Sequence, residues 1–147
     1  MSATEQMQEI VLGFDGSECA ERALKWAIDE AKLRGARLRV VTTWHVSALI
    51  YGAPGFVPVV AAPLDEAARD WATGVARGAA ERARDQGIEA ESIAPEGQAS
   101  DALIDASKRA NLLVVGSRGH GGFAGLLLGS VSQQCAHHSL CPLVIVR

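Results

Sequence analysis

Apolar positions fall into five short runs separated by four segments of helical period. Ile10–Phe14, Leu38–Trp44, Ile88–Ala94, Leu112–Val115 and the Pro142–Arg147 ending read as strands. The first and fourth runs are uncharged and nearly continuous, as a parallel strand covered on both faces requires. Between them, Ala20, Ala23, Leu24, Ala27, Ile28 and Ala31 recur at the spacing of one helix face and predict a helix over Glu18–Arg34. Ser17 is placed to cap it, Glu18 and Glu21 suit its positive end, and Gly35 follows its last basic residues. A second helix is predicted from Leu64 to Gly87, with Asp65 as cap and Ala68, Trp71, Ala72, Val75, Ala79 and Ala83 as its buried stripe. Shorter helices are expected over Ser100–Ala110 and from Ser130 to about His138.

Strict alternation of strand and helix implies a parallel sheet with helices on both faces. At 147 residues, one domain spanning 1–147 is expected. The stretch His45–Pro63 breaks the rhythm: it has no period and holds Gly52, Pro54, Gly55, Pro58 and Pro63. Connections of that length inside compact domains are usually functional or disordered.

Composition narrows the class. A formal net charge of −3 disfavours nucleic-acid binding, which needs a basic face. Three cysteines, Cys19, Cys135 and Cys141, include no C-x-x-C pair, so neither a disulfide framework nor a zinc site is indicated. Buried thiols are the simple reading, and redox sensing is the alternative, because Cys135 and Cys141 are close in sequence. A polar, acidic Met1–Glu9 and the lack of any apolar stretch of about 18 residues predict a cytoplasmic protein with no membrane partner.

Chemistry concentrates after the fourth run. Six glycines, at 116, 119, 121, 122, 125 and 129, fall within fourteen positions and lead into the helix that begins near Ser130. Glycines permit close approach of backbone to a ligand, and a helix start offers unpaired amides at the positive end of its dipole. The loop lacks the G-K-[ST] of a P-loop. Gly119–Ala124 satisfies G-x-G-x-x-[GA], but after the fourth strand and with no acidic residue beyond Asp105, which disfavours a dinucleotide fingerprint. In an open sheet of order 3-2-1-4-5 the strand order reverses between the first and fourth strands. That topology would bring Asp15-Gly16-Ser17 and the glycine loop to one place.

The spacing G-x2-G-x9-G-[ST], from Gly116 through Gly119 to Gly129-Ser130, together with IVLGFDGSECAERAL, VVTTW and the CPLVIVR ending, resembles the ATP-binding branch of the universal stress protein family. The resemblance covers nearly the whole chain. It implies a five-stranded parallel sheet of order 3-2-1-4-5 in a three-layer sandwich like that of the adenine nucleotide alpha hydrolases, with bound ATP, Mg²⁺ and a homodimer. Carried over by position, Asp15 corresponds to the carboxylate near ribose and metal, and Thr43 to the strand end that offers backbone atoms to adenine. Gly116 and Gly119 would line ribose and phosphates, and Gly129, Ser130 and Ser132 would hold the terminal phosphates. Gly13, Phe14 and Val131 complete the implied nucleotide set. Asn111 stands where the family often has Asp, remote from the loop.

Each position has a plainer alternative. Asp15 is also a natural turn or N-cap residue, Ser130 a natural helix cap, and Ser132 a surface serine. Arg118 either pairs a phosphate oxygen or is solvated; His120 either approaches the nucleotide or is simply exposed. No Gly-x-Ser-x-Gly elbow occurs, which disfavours a Ser–His–Asp arrangement. ATP hydrolysis needs a group to position water and cations at the γ-phosphate, and beyond Asp15 and Arg118 nothing stands out, so slow or absent turnover is expected. Beside a nucleotide-dependent stress regulator stand two alternatives: a nucleotide-free dimeric interaction module using His45–Pro63, and a slow ATPase. The last strand, Leu143–Val146, is an apolar edge that pairing with a twin copy would cover.

Overall fold

The computed structural model describes residues 6–45, 61–120 and 127–147, with side chains of the second helix from residue 64 onward. Most of the 45–63 connection and loop residues 121–126 lie outside the described residues. Strand β1 (Glu9–Gly13) is followed by α1 (Glu18–Arg34), β2 (Arg37–Val41), α2 (Ala61–Asp85) and β3 (Ala90–Ile93). Then come α3 (Ala99–Ser107), β4 (Leu112–Gly116), α4 (Ser130–His138) and β5 (Leu143–Val146). All five strands are parallel, in the order β3-β2-β1-β4-β5.

Side chains alternate across the sheet and build two cores. Ile10 and Leu12 of β1, Leu38 and Val40 of β2, and Leu112 and Val114 of β4 pack against the alanine-rich faces of α1 and α2. The intervening Val11, Val41, Leu113 and Val115 meet Leu103 of α3 and Cys135 of α4 on the other side. Burial on both faces explains why these strands read as continuous apolar runs. Because β1 pairs with β2 and β4, its end sits between theirs, and the turns after β1 and β4 leave to opposite faces.

Helix α1 has the expected bounds. Ser17 Oγ accepts the Ala20 amide at its start, and Gly35 closes it at φ 61°, in the left-handed region that favours glycine. Helix α2 begins at Ala61 rather than Leu64, so Asp65 lies inside it and is not its cap. A proline in the first turn removes no bond, because those amides have no partner within the helix. The stripe on α2 is also only partly buried: Ala72, Ala76, Ala79, Ala80 and Ala83 are enclosed, whereas Trp71 is 50% exposed. Strand β2 ends at Val41, and Trp44 is held instead by a lone bridge to Glu96 and by its indole N–H donating to the Ala94 carbonyl at 3.0 Å. Asn111 Oδ1 accepts the Glu9 amide at 2.8 Å, tying the starts of β4 and β1 at the end of the sheet away from the glycine loop.

Candidate nucleotide site

The ends of β1, β2 and β4 open onto one cavity of about 510 Å³. Its lining includes Gly13, Phe14 and Asp15 from β1, Thr43 after β2, and Gly116, Arg118, Gly119 and His120 after β4, with Ser130, Val131 and Ser132 from α4. Eleven of the twelve residues named from the sequence therefore share one cavity, and the twelfth, Gly129, sits immediately before α4. Several walls were not anticipated: Val41, Thr42, Leu103, Ala99 and Trp71 also line it.

Asp15 holds the β1 side. Its Oδ1 accepts the Ser17 amide at 2.9 Å, so the turn role is real, and this fixes the carboxylate at the start of α1. Across the cleft, His120 Nε2 donates to the Asp15 carbonyl at 2.8 Å, joining the β4 loop to the β1 turn.

The glycines act through space rather than through unusual backbone. Gly116, Gly119 and Gly129 are absent from the positive-φ residues of the described chain. A Cβ on Gly116 would come within 2.9 Å of the Cys19 backbone, so this glycine lets β4 press on the first turn of α1. One on Gly119 would stand 2.6 Å from Asp15 Oδ2. One on Gly129 would meet the Arg118 Cα at 3.4 Å and the Ser117 carbonyl at 3.5 Å.

Ser117 fastens the two ends of the loop. Its carbonyl accepts both the Gly129 amide at 2.7 Å and the Ser132 hydroxyl at 2.9 Å, while its own amide donates to Val146 at 2.7 Å. Ser132 is thus buried rather than on the surface, and its hydroxyl is engaged by the Ser117 and Gly129 carbonyls. An ordinary serine among glycines carries no sequence signal for such a role, and Ser117 was missed for that reason.

Gly129, not Ser130, occupies the N-cap of α4, and no side chain caps the helix. Gly129's carbonyl accepts the Gln133 amide, which leaves the amides of Ser130, Val131 and Ser132 without partners inside the helix. These are the three α4 residues that line the cavity. A nine-residue helix thus aims its positive end at the space beside Asp15 and Arg118.

Near this junction the Ser117 hydroxyl lies 3.7 Å from Cys19 Sγ. That contact, with the Arg22 guanidinium and the Arg118 amide, holds the Cys19 thiol below its ordinary pKa against the opposing effect of burial. Burial alone pushes Cys135 up to about 11. All three cysteines are free.

The lining suits a ligand with one apolar and one anionic part. The cavity volume lies in the usual ligand range of about 300–1,000 Å³. Phe14, Val41, Leu103 and Trp71 give the cavity apolar walls, and the amides of α4 with Arg118 give it anion donors. Strands β2 and β4 flank β1, so their ends are two strand spacings apart, roughly 10 Å, enough to separate base from phosphate. No cluster of three or more His, Cys, Asp or Glu exists among the described residues, so a divalent ion here would take most of its ligands from the nucleotide and from water.

Comparison with known proteins agrees with this architecture. The profile of the Universal stress protein family matches residues 7–147. Universal stress protein YxiE of Bacillus subtilis is 30% identical over 149 residues, covering 95% of this chain and 98% of its own. A universal stress protein of Mycobacterium tuberculosis is 32% identical over 141 residues, covering 96% of this chain but 48% of its own, so the chain spans about half of that relative. Among solved structures, UspA of Lactobacillus plantarum superposes with a TM-score of 0.82 at 21% identity, covering 97% of this chain and 99% of that one. A universal stress protein crystallised in complex with cAMP gives 0.67 at 29% identity, covering 95% and 96%. One from Archaeoglobus fulgidus in complex with dAMP gives 0.59 at 22%, covering 97% and 98%. With its five parallel strands in the order 3-2-1-4-5 and a family match over nearly its full length, the chain belongs to the universal stress protein family.

Proposed function

We propose that this chain binds ATP with Mg²⁺ in the cavity between Asp15 and the Gly116–Ser132 loop, and that the bound nucleotide controls its role in a stress response. The observation that carries the reading is the convergence of three first-turn α4 amides that have no partner inside the helix, Arg118 and the Asp15 carboxylate on one cavity that also has apolar walls. The cAMP and dAMP complexes of relatives support an adenine ligand for this site.

Each residue then has a task. The amides of Ser130, Val131 and Ser132, with the Arg118 guanidinium, receive phosphate oxygens. Asp15 Oδ2, free of the Ser17 contact made by Oδ1, faces the ribose hydroxyls or the nucleotide-borne Mg²⁺. Gly119 keeps that carboxylate in place by having no side chain. Ser132 and Ser117 fix the loop so that its donors are oriented before the ligand arrives.

Binding rather than turnover is the proposed activity. The homodimer through Leu143–Val146 belongs to the same proposal: β5 is the sheet's edge, and all four of its apolar residues are only half-buried in the single chain. Thermal unfolding with ATP, AMP or cAMP, each with and without Mg²⁺, tests the ligand. A ligand at 100 times its Kd adds about 2.7 kcal/mol to stability, and the largest shift is expected for ATP with Mg²⁺. Equal silence toward all three nucleotides would overturn the reading. Phosphate release that disappears in Gly129→Val would convert it into slow hydrolysis.

A further inference from the structure

We infer that Trp71 is the aromatic wall against which the base of the nucleotide packs, an inference that rests on the nucleotide reading above and adds a determinant of base recognition to it. The helical stripe of α2 marks Trp71 as a core residue, yet it stands half exposed while lining the cavity. The reason lies in where α2 passes. Val75 lies near the position after Asp15: its Cγ1 is 4.0 Å from where a Cβ on Gly16 would be. Residues four apart share a helix face, so Trp71 stands one turn beyond Val75 on the same side. Helix α2 leads into β3, which is parallel to the rest of the sheet, so its earlier turns lie toward the carboxyl ends of the strands. One turn toward its start therefore carries the stripe past the sheet and over the cavity. The alanines at 72, 76, 79, 80 and 83 remain enclosed.

The other two tryptophans are committed elsewhere: Trp26 packs against the α1/α2 core and the Trp44 indole donates to Ala94. Trp71 thus leaves a large flat apolar surface in the lining it shares with Phe14, Val41 and Thr43, on a helix that packs on β2 and β3, across β1 from the α4 end of the sheet. An aromatic face in that position suits a planar heterocycle and contributes nothing to a phosphate. The occupant it selects is a purine-bearing nucleotide rather than a sugar phosphate or inorganic polyphosphate.

The test compares wild-type protein with Trp71→Ala and Trp71→Phe, each titrated calorimetrically with Mg-ATP and, separately, with magnesium tripolyphosphate. Base stacking on a side chain is worth enough that Trp71→Ala should weaken ATP about tenfold, leave tripolyphosphate unchanged, and be largely rescued by Trp71→Phe. Intrinsic fluorescence should be quenched by ATP in the wild type and lose most of that response in Trp71→Phe, since Trp26 and Trp44 remain. Wild-type binding of ATP that Trp71→Ala retains in full, or an equal loss of ATP and tripolyphosphate, would overturn the inference while leaving the nucleotide reading intact. A wild-type protein silent toward both probes would overturn both.

Discussion

The Asp15 carboxylate occupies the space that a side chain on Gly119 would need. A Cβ there would fall 2.6 Å from Oδ2, well inside contact distance, and the next residue, His120, bonds the Asp15 carbonyl at 2.8 Å. The β1 turn and the β4 loop are therefore fitted to one another at the reversal of strand order, where open α/β sheets bind ligands.

Gly119→Ala should push the Asp15 carboxylate out of its present place without disturbing the strands beneath it. Calorimetric titration should show ATP affinity reduced about tenfold or more, a loss of about 1.4 kcal/mol in binding. The melting temperature should stay within about 4 °C of wild type, the shift that a change of about 1 kcal/mol produces at this size. A large fall in stability with unchanged affinity would assign Gly119 to packing alone.

A Cβ on Gly129 would meet its neighbours at ordinary contact distances of 3.4 and 3.5 Å. Alanine should be accommodated with a small loss of affinity. Valine should drive a branched methyl toward the Arg118 backbone and the space of the terminal phosphates, abolishing measurable ATP binding in a protein with unchanged far-UV circular dichroism. Full ATP affinity in Gly129→Val would remove this position from the site.

Ser132 joins α4 to the loop through a buried hydroxyl. Ser132→Ala should cost about 1–2 kcal/mol of stability in urea unfolding, the range for a lost buried hydrogen bond with a carbonyl left unpaired. A stability unchanged within error, with ATP affinity sharply reduced, would instead make the hydroxyl a direct phosphate ligand.

Cys135 has no exposed surface, and burial raises its pKa to about 11 from an ordinary 9.0. A thiol that holds its proton more tightly when folded stabilises the protein fully below about pH 9 and loses that contribution as pH rises through about 11. Wild type should therefore lose stability relative to Cys135→Ala between pH 9 and 11, by up to roughly 2 kcal/mol. Parallel pH profiles for the two proteins would contradict this.

Much of the fold was legible because local signals and global pattern agreed. Helix α1 announces both ends, Ser17 by its side-chain cap and Gly35 by its left-handed backbone, and its bounds follow directly. The sheet order is not written in any one strand; it came from strand–helix alternation and the family resemblance, and the pairing of β1 with β4 bears it out. Boundaries slipped where a cue has two meanings. Pro63 reads as a breaker between elements, although a first helical turn tolerates proline, so α2 starts earlier than expected. Trp71 was misjudged because helical period gives the direction a residue faces but not whether the sheet extends far enough to cover it. The glycine spacing pointed to residues that the fold gathers around one cavity. What it could not convey is that Gly116 and Gly119 are glycines because protein atoms fill the space beside them.

The most direct measurement is isothermal titration of nucleotide-stripped protein with Mg-ATP, alongside Asp15→Ala. The proposed site predicts one nucleotide per chain at micromolar Kd or tighter, weakened about tenfold or more by loss of the carboxylate. No heat with wild-type protein, or equal affinity in Asp15→Ala, would contradict a nucleotide site built between Asp15 and the glycine loop.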